Sequence, residues 1–428
     1  MTVGAKLVGA SPSLEPWYLR THRTSAAMYQ VLLGFAFLGS AFAGPLSHLH
    51  IGVMSGQGLL TVLLAMSSFA LLVGSWHLRA PVEGYLRPLA AFTVWVVASL
   101  SWSPAWRTGS QNVLVWATFV ALLLVSVRFA RVSRDSIRLV ARLLVVSSGV
   151  AAVLYAISLA SSGMGSDAVW GNRTFAQFAL LGLSWFLAGW RCRCRHSLLA
   201  AIVMAALIAL SLSRTAFAAA VVLFFLAPFV GATWKRRALM APAAVICLAF
   251  LVMGVLRFVE PLSERFGGDQ PVQGILDGSS GAYTSGRVVM WTEVWQSAAE
   301  APWIGKGAGS ASSHLAEIFD NITHPHNDYL RILHDYGVVG LLVFLYGSLR
   351  AGRLSWLSWT QAETLLERRL SLTAFLALSA IAMMMVTDNT FVYVFVMAPV
   401  AILLGTTLGR AGGPDNIWRS VASGRTAR

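Results

Sequence analysis

Apolar runs approaching the length of a membrane span recur almost end to end along this chain, separated by short polar stretches rich in arginine. Twelve runs are legible: Met28–Leu46, Ile51–Trp76, Pro88–Trp102, Asn112–Val127, Ile137–Ala160, Phe175–Trp190, Leu198–Leu212, Thr215–Pro228, Met240–Val259, Val338–Leu349, Leu370–Val386 and Phe391–Leu408. A helix needs about 20 mostly apolar residues to cross the hydrocarbon core, so the shorter runs must extend into their flanks. The pattern predicts an all-α, polytopic integral membrane protein of about 12 transmembrane helices. It divides the chain into an N-terminal tail (1–27), helices one to nine (28–259), one large loop (260–337), helices ten to twelve (338–409) and a C-terminal tail (410–428). There is no internal repeat and no matching pair of interrupted helices of the kind many transporters carry.

Composition narrows the class. Of 428 residues 57% are hydrophobic and 12% charged, whereas soluble chains carry about 25% charged residues. Such a sequence cannot build a water-exposed surface all round. The formal net charge of +14 would point to nucleic acid in a soluble protein, but here the basic residues cluster between apolar runs. Distributed over the two faces that twelve spans create, 23 of the 32 lie on the face holding both termini and 8 on the other, with Arg142 inside a span. The positive-inside rule therefore predicts a multi-pass protein with both termini cytoplasmic and an affinity for anionic membrane lipids. The first run is long enough to span and reads as a helix, not a cleavable signal. Cys192, Cys194 and Cys247 offer no disulfide framework, and the Cys192-Arg193-Cys194 turn is only a weak metal signal.

The large loop is the one stretch of soluble-like composition, holding 10 of the 18 acidic residues. Gly267–Gly286 reads as flexible, and two amphipathic helices are expected after it. Val288, Trp291, Trp295 and Ala298 recur at helical spacing in the first; Tyr329, Leu333 and Tyr336 do so in the second, after Pro325. Helices of this kind lie at the bilayer surface or close over a cavity.

Basic groups on the arginine-poor face need a reason. Arg214 sits in the short turn Ser211-Leu212-Ser213-Arg214-Thr215 between two spans, where an ionisable group is costly and either serves a function or snorkels to headgroups. Arg287 follows Thr284-Ser285-Gly286 at a helix start, either as a solvated loop residue or as a ligand contact. Two arginines on one face suit a diphosphate, because each planar guanidinium gives paired hydrogen bonds and keeps its charge. The densest polar cluster is His324-Pro325-His326-Asn327-Asp328, leading to His334 and Asp335. It admits a proton-transferring histidine, a helix cap, or a zinc site from His324, His326 and His334, although that spacing matches no standard ligand pattern. There is no phosphate-binding P-loop, no dinucleotide fingerprint and no Gly-x-Ser-x-Gly elbow. Any reaction then draws on an activated substrate delivered to the outer side, with no nucleotide.

Together these motifs resemble the bacterial O-antigen ligase and polymerase superfamily. The resemblance rests on Ser211–Arg214, on Ser285-Gly286-Arg287-x-x-x-Trp291, and on His326-Asn327-x-x-Leu330 with Gly337-x-x-Gly340 before the next span. Gly171–Phe175 and the turn Thr387-Asp388-Asn389 extend it, and Asp335 departs mildly from an expected glutamate. The resemblance implies a membrane glycosyltransferase of the GT-C type in the bacterial inner membrane, with its active site in a periplasmic loop. It would be metal-independent, inverting and free of cofactors. The donor would be a glycan on undecaprenyl diphosphate and the acceptor a sugar hydroxyl of the lipid A core, giving an O-antigen ligase. A polymerase, with another carrier-linked glycan as acceptor, stays open, as does, from a different class, a flippase for the same lipid. Arg214 and Arg287 would hold the diphosphate and His326 would position or deprotonate the acceptor hydroxyl, oriented by Asn327 or Asp328. Arg173 and His324 would be further substrate contacts.

Overall fold

The computed structural model describes residues 17–51, 54–76, 86–164, 169–230, 287–319 and 324–410. The expected ninth span, Met240–Val259, the stretch Gly267–Gly286 and most of both tails lie outside these residues. In chain order the helices are α1 (Trp17–Ala41), α2 (Ala43–His48), α3 (Gly56–Gly74), α4 (Arg87–Ala98), α5 (Trp106–Val132), α6 (Arg134–Ser162), α7 (Asn172–Arg191), α8 (Ser197–Leu210) and α9 (Arg214–Phe229). They continue with α10 (Arg287–Ala299), α11 (Ser310–Ile318), α12 (Asp328–Gln361), α13 (Leu365–Met384) and α14 (Val394–Arg410). Every expected run within the described residues falls mainly on these helices, although Met28–Leu46 is divided between α1 and α2 and Ile51–Trp76 begins in two short strands. The only strands among the described residues are the two-residue antiparallel pair His50–Ile51 and Met54–Ser55.

Five of the described helices are long and apolar enough to cross a membrane: α1, α3, α5, α6 and α12. Helices α8, α9 and α14 are apolar but shorter. The chain is thus an all-α membrane protein. Local chemistry sets several helix ends. Ser55 and Ser133 accept backbone N–H groups at the starts of α3 and α6, and Thr364 with Glu367 forms a reciprocal capping box at α13. Glu367 also takes Arg410 at 2.8 Å, tying the start of α13 to the end of α14. Helix α14 lies against α5 through Gly405 and Gly409, whose missing side chains let the carbonyls of Leu123 and Val127 approach. Small residues four apart permit this close contact where lipid offers helices no hydrophobic drive to associate.

Two expectations about the amphipathic helices need correction. In α10 the buried face is Met290, Val294, Ser297 and Ala298, while Val288 and Trp295 from the predicted stripe are 50% and 61% exposed. The helix carries two apolar stripes, and the one that packs is the one that meets Ala311 and Leu315 of α11. The second predicted helix is not separate; it is the first section of α12, and it buries Arg331, His334 and Asp335, not Leu333. Polar side chains turn inward there because each finds a polar partner, a relation that hydrophobic spacing does not register. Helix α12 breaks at Gly337, whose φ of 69° is left-handed and whose α-carbon leaves no room for a side chain beside the Trp303 carbonyl. At the break the Tyr336 carbonyl accepts the Trp95 indole N–H at 3.0 Å, and the N–H groups of Val338 and Val339 bond the Pro302 and Trp303 carbonyls.

Candidate functional site

Among the helices that begin at or beside an arginine are α7 at Asn172-Arg173 and α9 at Arg214, and Arg287 is the first described residue of α10. Helix starts carry unsatisfied N–H groups and the positive end of the dipole, which at α7 and α9 reinforces the charge of Arg173 and Arg214. The fold brings the Arg173 and Arg214 guanidinium groups each within electrostatic reach of Arg287. Burial, then the charges of Arg173 and Arg214, push the Arg287 guanidinium below its usual value, and Asp388 opposes them. Arg287 donates from Nη1 to the Thr387 carbonyl at 2.8 Å, and the hydroxyls of Thr215, next to Arg214, and Thr387 are hydrogen-bonded. The turn after α13 is therefore the piece on which α9 and α10 meet.

The same turn supplies the partners of His326. Its Nδ1 lies 3.1 Å from Asn389 Nδ2 and 3.7 Å from Asp388 Oδ1, the latter too long for a hydrogen bond but within ion-pair range. With Nδ1 unprotonated the ring accepts from Asn389; with Nδ1 protonated it faces the Asp388 carboxylate and leaves Nε2 as the basic atom. Burial pushes the Asp388 carboxyl up, yet His326, the Asn389 N–H and the Gln177 side chain outweigh it and hold the group below the usual carboxylate range. The carboxylate is thus ready to stabilise an imidazolium. His326 keeps 27% of its side chain exposed while Asp388 is buried. Its φ of 50° is left-handed, as is the 56° of Leu212 in the turn before Arg214. Non-glycine residues pay about 1–3 kcal/mol for such backbone, and both occur where a charged or titratable side chain is presented. Trp291 fixes the histidine loop to α10 by donating to the Pro325 carbonyl at 2.7 Å.

The neighbours of His326 in sequence do other work. Asn327 caps α12, its side chain accepting the Leu330 N–H at 3.0 Å. Asp328 is buried, lies 2.9 Å from Arg331 and accepts the Phe391 N–H at 2.7 Å, while Arg331 covers the Phe391 ring. The side chains nearest His326 Nδ1 are those of Asn389 and Asp388, while Asn327 and Asp328, expected to orient the ring, bond elsewhere. His324 stands 3.4 Å from the Ser312 hydroxyl; burial first, then the charges of Arg331 and His326, lower it to about 4, so it is neutral at pH 7. His334 lies in a separate buried network between the Ser297 and Ser310 hydroxyls, beside Asp335. Asp335 in turn accepts the N–H groups of Gly309 and Ala311 at the start of α11. Among the described residues no three such side chains come together as a metal ligand set.

Arg173, Arg214 and Arg287 are therefore linked to His326 through the turn that holds Thr387 and Asp388, and His324 interacts electrostatically with His326. Asp388, Asn389 and Gln177 are the members that residue patterns did not select. The turn Thr387-Asp388-Asn389 was visible as part of a resemblance, but a lone carboxylate between two apolar runs carries no motif of its own. Residues 199–345 match the family model described as O-antigen ligase. No curated protein matches the chain. The matched region holds Arg214, Arg287, His324 and His326 and excludes Arg173 and Asp388.

Proposed function

From membership of the O-antigen ligase-like superfamily over residues 199–345, we propose that this protein is an O-antigen ligase, a glycosyltransferase that moves a glycan from undecaprenyl diphosphate to a sugar hydroxyl of the lipid A core. The observation that carries the reading is the meeting of Arg173, Arg214 and Arg287 beside the His326–Asp388 pair. The charges of Arg173 and Arg214 acting on Arg287 form a site whose repulsion a diphosphate would relieve.

In the proposed reaction the acceptor oxygen attacks the anomeric carbon from the face opposite the diphosphate. The new glycosidic C–O bond forms as the bond from that carbon to the phosphate oxygen breaks. The electron pair leaves with the lipid diphosphate, the configuration inverts, and the acceptor proton passes to His326 Nε2. Asp388 steadies the imidazolium, and the arginines offset the charge growing on the leaving group. A positioned base gives about 10²–10⁴-fold, so the arginine cluster and alignment share the remainder, with no metal and no nucleotide. In this reading the chain has about twelve spans in the bacterial inner membrane, both termini in the cytoplasm, and the site facing the periplasm.

Reconstitution with a purified diphosphate-linked donor lipid tests the proposal. Glycan transfer to lipid A core, lowered about a hundredfold in Arg287→Ala, supports it. Extension of the carrier-linked glycan itself, with the core untouched, would identify a polymerase instead, and movement of donor across the bilayer without bond formation a flippase.

A further inference from the structure

Helices α4, α5, α12, α13 and α14 line a cavity of about 330 Å³. Phe92, Trp116, Phe344, Leu378 and Leu404, one from each helix, show the character of its walls, which are almost wholly apolar. Protein interiors pack as densely as organic crystals, and a void lined by such side chains stays dry. The cavity therefore suits a hydrocarbon chain and not water.

Its two ends differ. At one, Arg353 of α12 lines the cavity and is exposed. Arg350 lies one turn earlier on the same helix, its Nη1 donating to the Tyr346 hydroxyl at 2.9 Å while its Nε is buried with no acceptor among the described residues. Arg87 opens α4 beside Pro88, and Pro88 faces α12 so closely that a β-carbon at Gly347 would lie 3.5 Å from its ring. The start of α4 and this stretch of α12 are thus side by side. Leu349, which lines the same rim, is 73% exposed, so the rim is on the outer surface of the described bundle. The walls supply no counter-charge: α4, α5, α14 and α12 beyond Gly337 contain no acidic residue, and the one of α13, Glu367, takes Arg410. Even with Glu83, which precedes α4 in the chain, three arginines leave an excess of positive charge.

The opposite end is lined by Tyr329, Met385 and Phe391. The Met385 carbonyl accepts the Asp328 N–H at 2.8 Å and the Asp328 carboxylate accepts the Phe391 N–H at 2.7 Å, so this end abuts the residues that flank the Asp388 turn. A ligand with a negative headgroup and a long apolar chain matches both ends.

We propose that the cavity binds an anionic phospholipid of the surrounding bilayer, one acyl chain lying between the five helices and the phosphate among Arg87, Arg350 and Arg353. Basic pockets between transmembrane helices hold acidic headgroups in this way, and guanidinium forks match phosphate oxygens. The site is separate from Arg173, Arg214 and Arg287, and it stands whether or not the chain transfers glycans. By filling the space behind the Asp388 turn, the lipid becomes a structural part of the bundle.

Native mass spectrometry and thermal melting of the full chain, delipidated in detergent, test this. The probes are phosphatidylglycerol, phosphatidylcholine with the same acyl chains, and glycerol 3-phosphate. One phosphatidylglycerol should be retained per chain and raise the melting temperature. Phosphatidylcholine should bind at least about tenfold more weakly, and glycerol 3-phosphate, with the charge but no chain, should give no shift. Arg87→Gln combined with Arg353→Gln should weaken phosphatidylglycerol by at least about tenfold, the equivalent of one charge-assisted hydrogen bond, and leave phosphatidylcholine unchanged. Ser379→Phe, which puts a ring into the cavity from α13, should abolish retention with the arginines intact; should it not fold, the arginine double variant, altered only at exposed positions, decides. Equal binding of the two phospholipids, undiminished phosphatidylglycerol binding by the double variant, or a response to glycerol 3-phosphate alone would overturn the proposal. Displacement of phosphatidylglycerol by equimolar undecaprenyl diphosphate would overturn it too, and would assign the cavity to an isoprenoid chain.

Discussion

Arg287 at the start of α10 donates to the carbonyl of Thr387 at 2.8 Å, joining a helix of the large loop to the turn that leads into the last helix. The contact uses one fork of a planar guanidinium and leaves the rest of the group beside Arg173, Arg214 and Asp388. Arg287 thereby belongs to the scaffold and to the candidate site together.

Lysine at this position keeps the charge but loses the fork. Arg287→Lys should lower kcat/KM for transfer at least tenfold, and Arg287→Ala about a hundredfold, corresponding to one or two charge-assisted hydrogen bonds at roughly 1.5–3 kcal/mol each. Steady-state kinetics on the reconstituted enzyme check this; equal activity of the lysine variant would remove the bidentate role.

His326→Ala should reduce kcat by about 10²–10⁴-fold. Asp388→Asn, which keeps the shape but not the charge beside Nδ1, should cost less. The double variant should be no worse than His326→Ala, because Asp388 acts through the ring. Additive losses in this cycle would separate the two residues.

Asp328 and Arg331 form a buried pair, and removing one partner of such a pair costs about 3–5 kcal/mol. Asp328→Ala should therefore appear as lost folded protein and a lowered melting temperature, measured by fluorescence-detected size exclusion and thermal melting. The surviving fraction should retain most of its activity per folded molecule; a stable but inactive variant would return Asp328 to the chemistry.

His324 provides a pH signature. Its folded value is lowered from about 6.5 to about 4 by burial and by the neighbouring positive charges. The unfolded chain takes up that proton first as pH falls, so stability drops between pH 6.5 and pH 4 and is unaffected by this group above pH 6.5. His324→Gln should flatten that part of the melting temperature–pH curve; an unchanged acid slope would show that His324 does not contribute.

Gly337→Ala should destabilise the protein by at least about 1–3 kcal/mol, from the left-handed backbone and the collision with the Trp303 carbonyl. Thermal melting of the purified variant measures it, and Gly347→Ala, in open van der Waals contact with Pro88, serves as the comparison.

Much of this protein is determined locally. The period and length of apolar runs decide where helices form, since a backbone in lipid must satisfy its own hydrogen bonds, and the expected runs within the described residues are mainly helical. Arg214, Arg287 and His326 were legible because a charge on the arginine-poor face, a glycine before a helix and a histidine beside a proline are each unusual in their own short context. What tertiary structure alone decides is who faces whom. Asp388 and Asn389 carry no chemistry of their own in a short turn between two apolar runs, and acquire meaning because the turn after α13 meets the loop of His326. The same holds for the inward turn of Arg331, His334 and Asp335, and for the choice between the two stripes of α10. Hydrophobic periodicity records the free energy of one element against an apolar medium; the contact between His326 and Asn389 depends on the packing of two elements, and no window along the chain contains it.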